Sequence, residues 1–367
     1  MANKNNPEQA TYSMEKSTVS LVRPLAYPSL EGVRFYAALI VFVEHVLSGI
    51  VLEYFKINPL EFSYSSDSRT LKALYYLADG NHGVDIFFII SGFLMTRLIQ
   101  KPNFSYSDFV LARVKRIYPA FFVSLLITTL IVVQVFGWPW KIMDFLGNLI
   151  FLNAFPALGV MPYNHVSWSL GYEFAFYVII PILALVPGDT AKTSIKFVIL
   201  LAILFCIPPS LIRFEALFVG GLIGILSESS LKAFASKIPL SIAVIAYLSC
   251  GVIKALGVIS YQSYYSLFLA CAAVLLVRLV WRNSALGSFL MLPAMRKLGT
   301  LSYSLYLYHS VIASIVLYKL TPWPASLGGA VFAFMTTLVL TLFASYVSYM
   351  LFEKWYFNAP RHRASVP

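Results

Sequence analysis

The chain has 367 residues, 59% hydrophobic and only 12% charged, and its mean hydropathy of +0.77 lies outside the range of soluble globular domains. Its formal charge is +11, but the bases are spread among connections between apolar runs, where lipid headgroups rather than nucleic acid are the anions they meet. Cys206, Cys250 and Cys271 sit inside apolar runs without CxxC spacing or a nearby histidine, which argues against disulfides and against a metal.

The first 29 residues are polar and lack an apolar core segment, so they read as a disordered arm rather than a signal peptide. Crossing about 30 Å of hydrocarbon takes roughly 20 helical residues. Apolar runs near that length cover 33–54, 84–100, 116–137, 167–186, 194–210, 211–227, 238–257, 262–280, 299–319 and 326–353. A further run, 142–158, is short and is interrupted by Asn148, Asn153 and Pro156. If it does not cross, Arg113, Lys115 and Arg116 share one side with Arg278, Arg282, Arg296 and Lys297, as retention of bases on the cytoplasmic side requires; if it crosses, the second cluster is exported against that rule. The sequence therefore predicts an all-α, polytopic membrane helical bundle of about ten transmembrane helices, both termini cytoplasmic. Residues 1–29 form a cytoplasmic arm, 30–355 the membrane domain and 356–367 a cytoplasmic tail, with 137–166 an external, re-entrant segment.

Ionisable groups at membrane depth are costly, so each is a functional candidate. Arg34 and His45 are eleven residues apart, three turns plus about 20°, which puts them on one helix face with about 16 Å of axial separation. Glu44 points about 100° away from His45 and is the weaker partner for it. Ser91, counted inward along the second span from Asp85, falls at the depth of His45. Arg113 and Arg116 share a face at i, i+3, and arginine forks suit phosphate oxygens. Trp168 and His165 open the fourth span, with Glu173 and Tyr177 on one face below them, and the ninth carries His309 near mid-membrane. Any one of these also reads as interhelical hydrogen bonding, and Gly83, Gly92 and Gly299 as close-packing positions.

In order along the chain, these residues resemble the acyltransferase family 3 membrane proteins, whose better-known members O-acetylate bacterial surface polysaccharides. Leu30-Glu31-Gly32-Val33-Arg34 leading to His45 is similar to the family's first-helix Arg-x10-His. Gly83-Val84-Asp85 with Phe87-Phe88 and Ser91-Gly92, then Arg113-x-x-Arg116, are similar to its second- and third-helix signatures. Trp168-Ser169-Leu170-x-x-Glu173-x-x-x-Tyr177 and Leu298-Gly299 to His309 extend the match, and Trp355 stands where the family usually has proline. The chain stops at Pro367, so no fused SGNH hydrolase-like domain is expected.

The resemblance implies an O-acyltransferase of the bacterial inner membrane. Its donor would be cytoplasmic acyl-CoA, acetyl-CoA first, and its acceptor a hydroxyl of a carbohydrate or lipid-linked glycan. On that reading Arg34, Arg113 and Arg116 bind coenzyme A phosphates, and His45 acts as general base or carries the acyl group. Glu173 or Asp85 orients the imidazole or the acceptor. Ser91, Trp168 and His309 make further substrate contacts. The competing readings are a transporter or flippase of a lipid-linked glycan, weakened by the lack of paired repeats, and an assembly subunit whose buried polar groups fix helix register. Acceptor identity, acyl length and oligomeric state stay open.

Overall fold

A computed structural model describes residues 27–55, 80, 82–101, 104–185, 211–320 and 326–358. The arm, the expected span at 194–210 and most of the tail lie outside the described residues. Every regular element among those described is helical: α1 (Ser29–Phe55), α2 (His82–Ile99), α3 (Tyr106–Gln134), α4 (Ile142–Leu149), α5 (Trp168–Leu185), α6 (Phe214–Ile225), α7 (Glu228–Lys237), α8 (Leu240–Leu256), α9 (Tyr261–Trp281), α10 (Ala285–Leu290), α11 (Pro293–Tyr318), α12 (Leu327–Ser348) and α13 (Lys354–Asn358). Six described helices, α1, α2, α3, α9, α11 and the one built on α12, are long and apolar enough to cross a membrane.

Two expected crossings differ in form. The run at 211–227 gives a helix of only 12 residues, α6, about 18 Å long and too short to cross alone. It bends by 107° into α7. The bend falls where Ser227 turns out of the helix and caps α7, its hydroxyl accepting from Ser230 N at 3.1 Å. The run at 238–257 yields α8, of 17 residues, held at its end by Gly257 in the left-handed conformation.

The segment 142–158 contains no helix long enough to cross. After the eight residues of α4 come 3-10 turns at Leu152–Ala154 and Pro156–Leu158, and a third follows at His165–Ser167. The asparagines that interrupt its apolar pattern hold it folded. Asn148 donates to Asp144 O and Met161 O at 2.7 Å each and accepts from Tyr163 N at 3.1 Å, while Asn153 donates to Ser167 Oγ at 3.0 Å. Asn148, bonded to the backbone on both sides of the fold, lets this non-helical segment sit against the bundle.

Helix direction follows from the contacts. Gly299 of α11 lies on the backbone of Glu31, and Gly49 lies on Leu317, so α1 and α11 run parallel. Tyr303 of α11 donates to Ile117 O of α3 at 3.0 Å, and Asn164 bridges Ser124 Oγ of α3 and Leu307 O of α11 further on, so α3 shares that direction. Gly83 packs on Ala37 and Val41, whereas Gly80 packs on Ile40 and Glu44, so α2 runs antiparallel to α1. α2 and α6 pack backbone to backbone. A Cβ on Gly92 would collide with the Leu217 carbonyl, and one on Gly220 with that of Ile89. The near end of the bundle is where α1, α3 and α11 begin, and the far end is where they finish.

Candidate active site

At the near end, Arg34 of α1 and Arg113 and Arg116 of α3 converge on a cavity of about 90 Å³, closed by Phe87 and Ser91 of α2, Glu173 and Tyr177 of α5, and Tyr303 and Tyr306 of α11. The Ser91 and Tyr177 hydroxyls both donate to Glu173 Oε1, which fixes that carboxylate within the cavity wall. Arg34 donates to Glu31 Oε1 at 3.2 Å, and the Arg113 guanidinium lies 5.9 Å from the Phe109 ring with its Nε unsatisfied. Arg116 and Glu173 are within electrostatic reach of Arg34, and Arg116 is within reach of Glu353. Arg34 thus has a single 3.2 Å carboxylate contact, open to exchange with a phosphate, and Arg113 Nε has no acceptor to give up among the described residues.

A second cavity, of about 640 Å³, lies at the far end and contains His45. Thr128, Tyr163, His165, Ser310, Ser314 and Lys319 line it with aromatic residues that include Trp138 and Tyr318. His45 Nδ1 is 2.9 Å from Val41 O and 2.9 Å from Glu44 Oε2. The Val41 carbonyl accepts at Nδ1, which assigns the proton to that nitrogen and leaves the free lone pair on Nε2. Glu44 Oε2 lies close to the same nitrogen but makes no hydrogen bond among the described residues, so it is a charged neighbour of the ring, as its place about 100° away on the helix leads one to expect.

A layer of rings separates the cavities. Phe87 is 6.2 Å from Tyr306, Tyr306 is 5.7 Å from His309, and His309 is 5.1 Å edge-on from His45, centroid to centroid. His309 is fully buried, its Nδ1 lying 2.8 Å from Tyr306 O and its Nε2 having no partner. Arg34 and His45 both face the bundle interior, but they open into two cavities rather than one continuous passage.

Other candidates fall elsewhere than expected. Ser91 lines the near cavity and bonds Glu173, so its hydroxyl does not meet His45. Glu173 does not touch His45 either. Asp85 is fully buried in a separate network: Arg213 donates to both its oxygens at 2.6 and 2.7 Å, and the Tyr265 hydroxyl donates at 2.6 Å. Trp168 belongs to that network through its ring, 5.5 Å from the Arg213 guanidinium. Asp85 therefore holds α2 to the start of α6 and to α9 and does not orient the imidazole.

The sequence reading also passed over Glu353. It is buried in the π-helical turn Tyr349–Glu353 and accepts from Ser304 Oγ at 2.5 Å. Its sequence signals were a carboxylate closing the last apolar run and its place in Ser348-Tyr349-x-x-Phe352-Glu353-Lys354-Trp355, which is similar to the family's usual ending.

One helix of the apolar bundle thus carries both a guanidinium in a basic cavity and an imidazole in a second cavity. A family model described as an acyltransferase domain, acyltransferase family 3, matches residues 27–350, and the chain belongs to that family. The putative membrane-bound transacylase BcsY of Komagataeibacter xylinus is 28% identical over 316 residues, covering 76% of this chain and 77% of that protein. The acyltransferase MdmB of Streptomyces mycarofaciens is 28% identical over 170 residues, 44% of this chain and 40% of its own. The peptidoglycan O-acetyltransferase OatA of Listeria monocytogenes is 24% identical over 335 residues, 78% of this chain and 49% of that one. The chain thus spans about half the length of the peptidoglycan enzyme. No solved structure matches. The protein is a multi-pass membrane acyltransferase, and the enzyme reading stands over the transporter and assembly-subunit alternatives.

Proposed function

We propose that the chain moves an acyl group, acetyl in the first instance, from acyl-coenzyme A to a hydroxyl of a carbohydrate acceptor. The near end would face the cytoplasm of a bacterial inner membrane and the far end the outside. One observation supports this reading most: a single unbroken helix, α1, presents Arg34 to the near cavity and His45 to the far one, about 16 Å apart along the axis.

Arg34, Arg113 and Arg116 take the coenzyme A phosphates, with Arg34 exchanging Glu31 for phosphate. The pantetheine arm rises along α1, and Phe87, Tyr306 and His309 shift to let the thioester carbonyl reach His45 Nε2. Glu44 steadies the imidazole as positive charge develops on it. The acceptor occupies the far cavity, whose aromatic rings and hydroxyls suit the flat faces and edges of sugars. Relatives named as peptidoglycan O-acetyltransferases support a glycan acceptor.

The test uses the purified full chain with radiolabelled acetyl-CoA. The wild type releases coenzyme A and transfers or retains label. His45→Ala binds acetyl-CoA with unchanged affinity and loses turnover by about 10³-fold. Turnover preserved in that variant would remove His45 from the chemistry.

A further inference from the structure

Three of the chain's histidines gather at the far cavity, and they are not equivalent. His45 and His309 each have Nδ1 tied to a backbone carbonyl. His165 has no hydrogen bond to the protein among the described residues, and its ring is exposed within the cavity that also contains His45.

Its backbone, by contrast, is fixed on both sides. Tyr163, Asn164, Val166 and Ser167 are all buried, and His165 alone in that run is exposed. The Tyr163 hydroxyl donates to Pro139 O at 2.9 Å. Asn164 donates to Ser124 Oγ of α3 at 2.8 Å, and Val166 O accepts from the Tyr306 hydroxyl of α11 at 3.0 Å. A turn clamped to two transmembrane helices presents one unpartnered imidazole to the space where an acceptor would sit beside His45. Rigid support of this kind distinguishes a preorganised group from an incidental loop side chain.

We infer that His165 is a second catalytic imidazole of the far cavity, the base that takes the proton from the acceptor hydroxyl while His45 carries the acyl group. This rests on the function proposed above and assigns the two imidazoles separate steps. First, His45 Nε2 attacks the thioester carbonyl carbon, the C–S bond breaks, and coenzyme A leaves as thiolate. Then the acceptor oxygen attacks the acyl-imidazole carbon as His165 removes the hydroxyl proton. The C–N bond breaks, its electron pair returns to His45 Nε2, and His165 passes its proton to water at the far end.

Although the His165 ring opens into the cavity, the protein around it strips part of its hydration, and with the neighbouring His45 this holds it below the ordinary histidine range, so it is neutral and able to accept at physiological pH. The titratable and charged groups around it are His45 with Glu44 from α1, His309, Tyr318 and Lys319 from α11, and Tyr163 from its own segment. The lining contributed by α3 is uncharged.

The experiment follows thiol release when acetyl-CoA is mixed with the detergent-purified full chain, with water as acceptor. The wild type should show a stoichiometric burst, then a steady rate that falls as pH drops through the His165 ionisation. His165→Ala should keep the burst and its pH dependence, lower the steady rate about 100-fold, flatten its acid limb, and recover on addition of imidazole. His165→Asn should behave alike without rescue. A steady rate and acid limb unchanged in both variants would overturn the assignment while leaving the acyltransferase reading intact. A burst lost in both despite normal acetyl-CoA binding would also overturn it, by making His165 part of the first step. Absence of a burst in the wild type would refute the covalent route through His45 on which the division of labour depends.

Discussion

Arg34 illustrates how one residue is held ready for a ligand. Its guanidinium is largely buried, and Glu31, one turn earlier on α1, accepts from it at 3.2 Å. If phosphate replaces that carboxylate, Glu31 competes with the donor and its removal should tighten binding. Glu31→Gln is expected to lower the Kd for acetyl-CoA two- to five-fold, about 0.5–1 kcal/mol for a part-buried pair. Arg34→Lys keeps the charge but loses the planar fork, and should raise that Kd about ten-fold. Calorimetry in detergent reads both changes. Identical affinities in the two variants and the wild type would place the phosphates elsewhere. The spacing of Arg34 and His45 was readable from sequence because both lie on one helix, where 100° per residue fixes their faces. The partners of Asp85 and Glu173 were not, because Arg213 stands 128 positions from Asp85 and Ser91 stands 82 from Glu173, and only the packing of α2 against α5 and α6 brings them together.

At the level of elements, the bundle is held by close helix pairs and by buried polar clamps between them. The largest clamp joins α2 to α6 and α9 through Asp85, Arg213 and Tyr265. Asp85→Asn preserves shape but leaves the Arg213 charge uncompensated, which should cost about 3–5 kcal/mol. The expected readout is a lower melting temperature in detergent, with most of the loss recovered by adding Arg213→Met. Loss of turnover at full stability would instead return Asp85 to the catalytic machinery. Apolar run length located helices, since nine of the ten expected spans fall on described ones, but only six of those are long and apolar enough to cross a membrane. What length alone missed was punctuation: Ser227-Glu228-Ser229-Ser230 is a capping sequence, so the 211–227 run ends as the short α6 and a new helix, α7, starts beyond it at 107°. The asparagines of 142–158 were the converse case, where polar residues inside an apolar run did signal a segment that folds back on itself.

Across the whole molecule, the proposed reaction uses the near cavity for a phosphate-bearing donor and the far cavity for a hydroxyl acceptor. Between them stand Phe87, Tyr306 and His309. The sequence placed Arg34 and His45 on one helix face and gave no sign of a barrier between them. The layer was invisible to it because Phe87 on α2 and the two α11 residues meet only across helices, and an aromatic residue in a membrane span is usually mere packing. With the layer closed, donor and acceptor cannot share an entrance, so the reaction should be vectorial. The most direct test seals labelled acetyl-CoA inside proteoliposomes and supplies a membrane-impermeant chitin oligosaccharide either outside or inside with it. The account predicts labelled oligosaccharide only when donor and acceptor are on opposite faces, and none with His45→Ala. Equal labelling with both on the same face would contradict it.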